Sequence, residues 1–295
     1  ADAAAAAEQI GLTVWSDDGE PETAWRASQR LVPRLARVEE RPAPAMRWRT
    51  DATYVVTGAF GGIGQVVARG IVQAGARHLL LVGRTPLPPR ATWRDIDVAS
   101  PAGRRVAVVR ELEAAGATVH LAIVDIADDA AVRARLAEHE REGWPAVRGV
   151  LHCAAVTEDR LVDRLDEAAL AAVLRPKARG AWVLQRELGH APLDFVLFFS
   201  SLGAVFGQPG QAAYAAANAF LDATALSLRD QGVPVCSVNW GGWRGLGFAD
   251  TAGGQRTIAG LEEAGIHTFD AREGLEALAM ILGAGHRGQV AVAPD

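Results

Sequence analysis

The sequence predicts an α/β protein built on a doubly wound parallel sheet of about seven strands, with helices on both faces. From residue 51 onward, short apolar runs alternate with longer helical segments, which is the order expected of strands joined by crossover helices. Most of these runs are apolar throughout, as expected of strands that helices cover on both faces. The predicted strands are residues 53–57, 78–83, 118–125, 147–153, 194–201, 234–240 and 289–293.

Helical segments fill the intervals between these strands, and two irregular segments interrupt the alternation. Residues 85–101 are rich in proline and are predicted to be a surface loop. Residues 241–260 are rich in glycine and follow the sixth strand at the carboxyl edge of the sheet, where ligands bind. We interpret this second segment, to about residue 265, as a substrate lid or as a disordered connection. The predicted helices are residues 62–75, 103–115, 128–140, 161–189, 210–231 and 271–284.

Residues 1–50 differ from the rest of the chain and are predicted to lie outside the catalytic domain, which spans residues 51–295. An alanine-rich run opens the chain and is expected to form a short helix or to fray. Residues 30–38 read as one strand, and residues 39–46 form a proline-punctuated linker. Both ends of the sequence look cut, so we expect a fragment of a longer polypeptide.

Composition excludes several classes of protein. The chain has 295 residues, a formal net charge of −5 and a pI near 5.8, which offers no electrostatic case for nucleic acid. No apolar run is long enough for a membrane span, and no signal peptide is recognisable. Cys153 and Cys236 stand alone in apolar segments, which favours buried free thiols in a cytoplasmic protein over a disulfide or a metal site.

A glycine-rich segment, TGAFGGIG (57–64), joins the first predicted strand directly to the first helix. Gly58 permits a tight turn, Gly62 lets the backbone approach a pyrophosphate, and Gly64 lets the helix pack close to the sheet. The N-terminus of the helix then offers N–H donors and a positive dipole end to phosphate groups. In this position the segment predicts a dinucleotide site of the Rossmann type.

The residues that end the second and third strands indicate which dinucleotide binds. A site selective for NAD usually carries an acidic residue after the second strand, whereas this sequence carries Arg84. A guanidinium suits a 2′-phosphate, so NADPH is the predicted cofactor, unless Arg84 is simply a solvated arginine. Asp125 ends the third strand and is expected either to accept from the adenine amino group or to cap the next helix.

Four polar residues are predicted to meet at the crevice where the sheet presents its carboxyl ends. Ser201 ends the fifth strand, and Tyr214 follows it by 13 residues in the next helix. Asn218 lies one turn beyond Tyr214 on the same helix face. Lys177 lies on the preceding helix and is the single lysine among 30 lysine and arginine residues.

These motifs together resemble the ketoreductase domain of a modular polyketide synthase, a branch of the short-chain dehydrogenase/reductase superfamily. In most reductases of that superfamily a lysine follows the tyrosine by four residues, where this chain has Asn218. In the polyketide branch the two exchange places, so the resemblance implies that Lys177 completes the set. The resemblance to ketoreductase domains covers residues 51–295. Residues 25–38 resemble the end of the cofactor-less structural subdomain that precedes such domains. The matching motifs are TGAFGGIG, HCAAV (152–156), RPKARGAW (175–182), FFSS (198–201), YAAANAFLDA (214–223) and VNWGGW (238–243).

The resemblance implies reduction of a β-ketoacyl thioester, presented by the phosphopantetheine arm of an acyl carrier protein, inside a synthase with neighbouring domains. Tyr214 is expected to act as general acid, with Ser201 donating to the same oxygen and Lys177 lowering the pKa of the phenol toward neutrality. Asn218 is expected to orient the lysine or a water. A free-standing fatty-acid reductase and a non-catalytic scaffold are the alternatives. The expected cofactor-binding residues are Thr57, Gly58, Phe60, Gly61, Gly62, Ile63, Gly64, Arg84, Asp125, Ile126, Lys177 and Tyr214.

Three further residues are assigned to the substrate and to stereocontrol. The family marks the D-hydroxyl class by an aspartate in a Leu-Asp-Asp motif, where this chain reads Thr157-Glu158-Asp159. The opposite class carries a tryptophan eight residues before the tyrosine, where this chain has Phe206. We therefore expect a D-hydroxyl product, and place Trp243 beside the substrate as well. Ala216 replaces the proline typical of enzymes that take an epimerised α-methyl, which favours an unepimerised or unsubstituted α-carbon.

Overall fold

The computed structural model describes residues 3–20, 22–26, 28–38, 46–247, 254–255, 258–259, 262 and 267–294. The chain divides into two compact units, residues 1–41 and 42–295. No helix in the described ranges is both long enough and apolar enough to cross a membrane.

The first unit contains one helix and one small hairpin. Helix α1 (Ala3–Val14) is formed by the alanine-rich run, and strand β1 (Ala24–Arg26) pairs antiparallel with β2 (Gln29–Leu31). The predicted strand at residues 30–38 was wrong in its length, because only its first two residues belong to β2. The Trp25 indole N–H donates to the Thr13 hydroxyl over 2.9 Å, which ties the hairpin to α1.

The second unit is organised around a seven-stranded sheet in the order β5-β4-β3-β6-β7-β8-β9, with every neighbouring pair parallel. The seven predicted strands are confirmed to within two residues at each end. The order reverses between β3 and β6, and ligands of such sheets bind in the crevice at this switch point. The strands are β3 (Thr53–Thr57), β4 (His78–Gly83), β5 (Thr118–Ile123), β6 (Val147–His152), β7 (Phe195–Ser201), β8 (Val235–Trp240) and β9 (Gly288–Val292).

Apolar side chains on both faces of the strands explain why the runs are apolar throughout. In β4, Leu79 and Leu81 belong to one buried cluster, with Ile71 from a helix on that face. Leu80 and Val82 belong to a second cluster on the other face. Successive side chains of a strand point to opposite faces, so a sheet covered on both sides needs an apolar residue at every position.

The predicted helices are found in the predicted order, but one of them is divided and one short helix, Gly203–Phe206, was not predicted. The predicted helix 161–189 is divided, because a π-helical turn, Arg175–Arg179, separates two α-helices and residues 161–166 precede them as a short 3-10 turn and loop. Pro176 lies in this turn, and it has no N–H with which to continue α-helical pairing. The α-helices of the unit are α2 (Gly62–Gln73), α3 (Pro101–Ala114), α4 (Asp129–Arg141), α5 (Glu167–Leu174), α6 (Gly180–Leu188), α7 (Gly203–Phe206), α8 (Ala212–Asp230) and α9 (Ala271–Gly283).

The proline-rich insertion at residues 85–101 is anchored to the domain rather than lying wholly on its surface. A 3-10 helix, Arg90–Asp95, buries the Trp93 side chain, and the indole N–H donates to the Pro88 carbonyl over 2.8 Å. The Arg90 guanidinium lies 4.6 Å from the centre of the Trp93 ring. The prediction of a surface loop missed this anchor because proline content signals a loop without indicating what the loop packs against.

Candidate active site

The glycine-rich segment 57–64, the predicted phosphate loop, joins β3 to α2, and its own fold leaves room only for glycine at Gly58 and Gly64. Gly58 has a φ of +66°, and a Cβ on it would lie 2.8 Å from the Cα of Ala154. A Cβ on Gly64 would lie 2.2 Å from the Gly58 carbonyl oxygen. Both neighbours are backbone atoms that cannot turn aside as a side chain can. The glycines therefore hold α2 close to the sheet, with its N-terminus facing the crevice.

The first residues of the predicted lid lie directly against this loop. A Cβ on Gly62 would lie 2.8 Å from the Gly247 amide nitrogen, so Gly62 is a third position with room only for glycine. The segment is held at its start, because the Gly241 N–H donates to Val292 over 2.9 Å and the Phe269 N–H donates to Gly242 over 2.8 Å. The prediction of a lid to about residue 265 otherwise falls mostly outside the described residues.

A cavity of about 520 Å³ opens between the phosphate loop and the ends of β4 and β5. Three arginines line it: Arg84 after β4, Arg105 on α3 and Arg175 in the π-helical turn. Sequence reasoning missed Arg105, which lies in no recognisable motif, and Arg175, which begins the motif RPKARGAW (175–182) but was given no role. The remaining lining residues are Thr57, Gly58, Phe60, Gly61, Val82, Gly83, Thr85, Val124, Asp125, Ile126, Ala154, Ala155, Val156, Ala172 and Pro176.

Some of the charged groups around this cavity form ion pairs and hydrogen bonds, whereas others form neither among the described residues. Arg175 Nε donates to Asp125 Oδ2 over 3.0 Å, and Asp125 Oδ1 accepts from the Ala127 N–H over 2.9 Å. Burial alone would raise the pKa of Asp125, but these two hydrogen bonds, together with the charges of Arg175 and Arg84, outweigh burial and lower it. Asp125 does not cap α4, since Asp128 does so. Among the described residues, the Arg84 and Arg105 side chains form neither an ion pair nor a hydrogen bond.

The structure brings the four predicted catalytic residues together beside this cavity. Lys177 is 2% exposed, and its Nζ donates to the Phe199 carbonyl over 2.5 Å and lies 5.3 Å from the centre of the Tyr214 ring. Ser201 ends β7, where its Oγ accepts from the Gly203 N–H over 3.1 Å. Asn218 Nδ2 donates to the Tyr214 carbonyl over 2.8 Å, whereas its buried Oδ1 lacks a partner among the described residues.

Burial is the largest influence on the pKa values of Lys177 and Tyr214. Burial lowers the pKa of Lys177 to about 8, although the nearby Cys153 and Asp222 favour its charged form. Burial also raises the pKa of Tyr214, and hydrogen bonding from Asn218 and Ser201 offsets only part of that effect. The expected lowering of the phenol pKa by Lys177 is not seen in this structure, where the ammonium lies beside the Tyr214 ring and donates to the Phe199 carbonyl. The phenol is therefore protonated at neutral pH, but the raised pKa makes it a weaker proton donor than a general acid whose pKa lies near the operating pH.

A buried polar network beneath these residues fixes the end of β7. Asp222 on α8 accepts from Ser237 Oγ over 2.6 Å and from Asn239 Nδ2 over 2.8 Å. Asn239 Nδ2 also donates to Ser200 Oγ over 3.0 Å and to the Ser201 carbonyl over 3.1 Å. The sequence motifs that contain Asp222 and Asn239 thus hold the backbone of Ser201, the predicted catalytic serine.

The three residues assigned to the substrate occupy different environments. Asp159 Oδ1 accepts from Gln211 Nε2 over 3.2 Å, and its charge acts on Tyr214, which places it at the crevice. Phe206 ends α7 and is 65% exposed. Trp243 is only 2% exposed and packs against Trp240 and Phe269. This burial is contrary to the assigned substrate contact, because the indole is covered by the aromatic cluster.

The family model described as KR domain matches residues 52–245 of this chain. That range contains the glycine-rich segment 57–64 and all four residues of the predicted catalytic set. The chain belongs to the ketoreductase (KR) domain family of polyketide synthases. The ketoreductase is accordingly an oxidoreductase of the short-chain dehydrogenase/reductase type that reduces β-keto groups.

The ketoreductase resembles curated synthases over only part of their length. It is 40% identical over 267 residues to 5-methyl-1-naphthoate synthase of Streptomyces sahachiroi, a match that covers 90% of this chain and 14% of that protein. It is 41% identical over 231 residues to 6-methylsalicylic acid synthase of Aspergillus terreus, covering 74% and 13%. The matched part of the chain therefore spans 14% or less of the length of these two relatives.

Solved ketoreductases share the fold of this chain. An A-type ketoreductase from a modular polyketide synthase superposes with a TM-score of 0.83 at 34% identity, covering 99% of this chain and 58% of that one. A ketoreductase from the first module of phoslactomycin biosynthesis in Streptomyces sp. HK803 gives a TM-score of 0.80 at 32% identity, covering 94% and 60%. The predicted family and fold class are confirmed.

Proposed function

We propose that this ketoreductase uses NADPH to reduce a β-ketoacyl thioester, carried on an acyl carrier protein, to the β-hydroxyacyl thioester during polyketide chain extension. The observation that carries the proposal is the grouping of Ser201, Tyr214, Lys177 and Asn218 beside the phosphate loop. The complete set argues against a non-catalytic scaffold. Residues 1–50 are proposed to be a linker and the remnant of a structural subdomain, which favours a synthase over a free-standing fatty-acid reductase.

Each residue of the set has a role that follows from its surroundings. The protonated phenol of Tyr214 gives its proton to the ketone oxygen, and the Ser201 hydroxyl donates a hydrogen bond to the same oxygen. Lys177 stabilises the phenolate that remains. The unpaired Oδ1 of Asn218 is buried, which costs free energy unless it accepts a hydrogen bond. In the working enzyme, a water or the ammonium of Lys177 supplies that donor. The same group provides a path by which the Tyr214 phenolate regains its proton.

The groups that line the cavity fit NADPH. The glycine-rich segment 57–64 and the N-terminus of α2 would hold the pyrophosphate. The guanidiniums of Arg84 and Arg105, which form no ion pair among the described residues, would match a 2′-phosphate dianion. Thr57, Phe60 and Ile126 line the same cavity. Bound NADPH supplies the hydride that the carbonyl carbon receives.

Arg84→Ala is expected to raise the KM for NADPH by about 10-fold to 100-fold and to leave the KM for NADH nearly unchanged, because a charge-assisted hydrogen bond is worth about 1.5–3 kcal/mol. Arg105→Ala is expected to raise the KM for NADPH by a smaller factor, again with the KM for NADH nearly unchanged. Steady-state kinetics with both cofactors measures this. Arg104→Ala is the matched control, since Arg104 is the exposed neighbour of Arg105 on α3 and does not line the cavity. Equal losses for both cofactors in Arg84→Ala would contradict the assignment.

The carrier-bound thioester is expected to be reduced with a higher kcat/KM than the same acyl chain on a short free thioester. Remote binding of the phosphopantetheine arm and of the carrier surface contributes free energy that a truncated substrate lacks. Loss of NADPH absorbance and mass spectrometry of the product measure both reactions. The rate measured with Tyr214→Phe is subtracted for each substrate as the background reduction. Equal efficiency for the two substrates would remove the support for a carrier protein as partner.

We propose that the product carries the D-hydroxyl at the β-carbon. Asp159 supports this, since its hydrogen bond to Gln211 places a carboxylate at one side of the crevice entrance, close to the start of α8. Ala216 further favours a substrate whose α-carbon is unsubstituted or unepimerised. Chiral chromatography of the reduced thioester, against authentic D and L standards, is expected to give predominantly the D product. A predominantly L product would overturn this part of the proposal.

A further inference from the structure

His152 ends β6 and is completely buried between the phosphate loop and the π-helical turn. Its Nδ1 lies 2.8 Å from Thr57 Oγ1, and its Nε2 lies 3.1 Å from the Lys177 carbonyl oxygen. The imidazole thus joins the first residue of the phosphate loop to the backbone of the proposed catalytic lysine. Thr57 and Lys177 are 95 and 25 positions away from His152 along the chain, so only the fold brings them together.

The surrounding hydrogen bonds determine which nitrogen of His152 carries the proton. Thr57 Oγ1 already accepts from the Ala154 N–H over 3.1 Å, so its own hydrogen is free to be donated to His152 Nδ1. With Nδ1 as acceptor, the neutral ring carries its proton on Nε2. The Lys177 carbonyl can only accept, and therefore receives that proton. Burial keeps the ring neutral, since it lowers the pKa of His152 to about 4.

The carbonyl of Lys177 lies in the one π-helical turn of the described residues. The Gly180 N–H also donates to this carbonyl, so His152 supplies a second donor, and its loss would weaken the turn relative to a return to regular α-helical pairing. Such a change rotates residue 177 about the helix axis and moves its side chain. With the turn in place, the ammonium donates to the Phe199 carbonyl and lies beside the Tyr214 ring.

We propose that His152 is a positioning residue: oriented by Thr57, it donates a hydrogen bond to the Lys177 carbonyl and so holds the lysine ammonium beside Tyr214. The inference rests on the proposed role of Lys177 in ketone reduction. It also links the lysine mechanically to the loop that receives the cofactor phosphates, because Thr57 belongs to that loop and contacts His152.

The chain offers an unusually direct test, because Lys177 is its only lysine. Lysine labelled with ¹³C at Cε gives one side-chain NMR signal from the full chain, and its titration reports the pKa of Lys177 without any turnover. The wild type, His152→Gln and His152→Leu are compared. The glutamine amide can still donate to the Lys177 carbonyl, whereas leucine cannot. The wild-type signal is expected to titrate near 8.

In His152→Leu we expect the Lys177 pKa to rise toward the ordinary value of 10.5 as the ammonium leaves its buried position. We expect kcat to fall about 100-fold, because a displacement of about 1 Å can cost that much. His152→Gln should resemble the wild type in both respects. An unchanged Lys177 signal in folded His152→Leu overturns the proposal, and so does an equal change in both variants, since the donor would then be irrelevant.

Two further measurements keep the inference testable if His152→Leu does not fold. Two-dimensional ¹H–¹⁵N spectra of the wild type should show His152 as the Nε2–H tautomer at pH 7, and the Nδ1–H tautomer or an imidazolium would refute it. Thr57→Val should shift the Lys177 signal in the same direction as His152→Leu. Failure of the proposed function is seen separately, as turnover that survives Tyr214→Phe.

Discussion

Tyr214→Phe is expected to lower kcat for ketone reduction by about 10³-fold or more, because general acid catalysis typically contributes 10²-fold to 10⁴-fold. The substitution removes one oxygen and leaves the ring that lies beside the Lys177 ammonium. Cofactor affinity should change little. Single-turnover reduction of a β-keto thioester, followed by loss of NADPH absorbance, measures the rate, and fluorescence titration measures cofactor binding.

The chain supplies a matched control, because Tyr54 is its only other tyrosine. The Tyr54 hydroxyl accepts from the Arg49 N–H over 2.8 Å and lies away from the crevice, at the amino-terminal end of β3. Tyr54→Phe loses one hydrogen bond, so it should reduce the free energy of unfolding by about 1 kcal/mol and leave kcat unchanged. Near wild-type reduction by Tyr214→Phe would remove this tyrosine from the mechanism.

Gly64→Ala is expected to reduce the free energy of unfolding by about 3 kcal/mol or more and to abolish measurable cofactor binding. The added methyl would lie 2.2 Å from the Gly58 carbonyl oxygen and 2.9 Å from the Ala59 Cα. Relief requires α2 to move away from the sheet, and this movement displaces the helix N-terminus that receives the phosphates. Urea unfolding and calorimetric titration with NADPH measure the two effects.

Gly61→Ala tests whether the loss is specific to Gly64. Gly61 caps the same helix with a φ of −83°, which alanine adopts readily, and its Cβ would approach the Gly58 carbonyl oxygen only to 3.3 Å. A small shift accommodates that contact, so stability and cofactor binding should both fall much less than in Gly64→Ala. Similar losses of stability and cofactor binding in the two variants would contradict a specific need for close approach at Gly64. They would mean that a methyl group is not tolerated at either glycine.

The order of strands and helices could be predicted because local sequence carries that information directly. An apolar run such as residues 78–83 can bury both of its faces only between two layers of helices, and proline and glycine mark where each element ends. Ser201, Tyr214 and Asn218 could be placed for the same reason, since a strand end and one helix face define their positions. Their catalytic roles, and that of Lys177, are still predictions drawn from a family resemblance and from proximity.

By itself, the sequence determined the fold class, the phosphate loop and the chemical nature of the candidate catalytic set. Only the tertiary structure decided that Arg105 lines the cavity beside the glycine-rich segment, that Trp243 is covered by aromatic side chains, and that His152 joins Thr57 to Lys177. The physical reason is that these contacts link segments far apart in the chain. Local patterns specify which residues share a face of one element, whereas the register and packing between elements specify which of those faces meet.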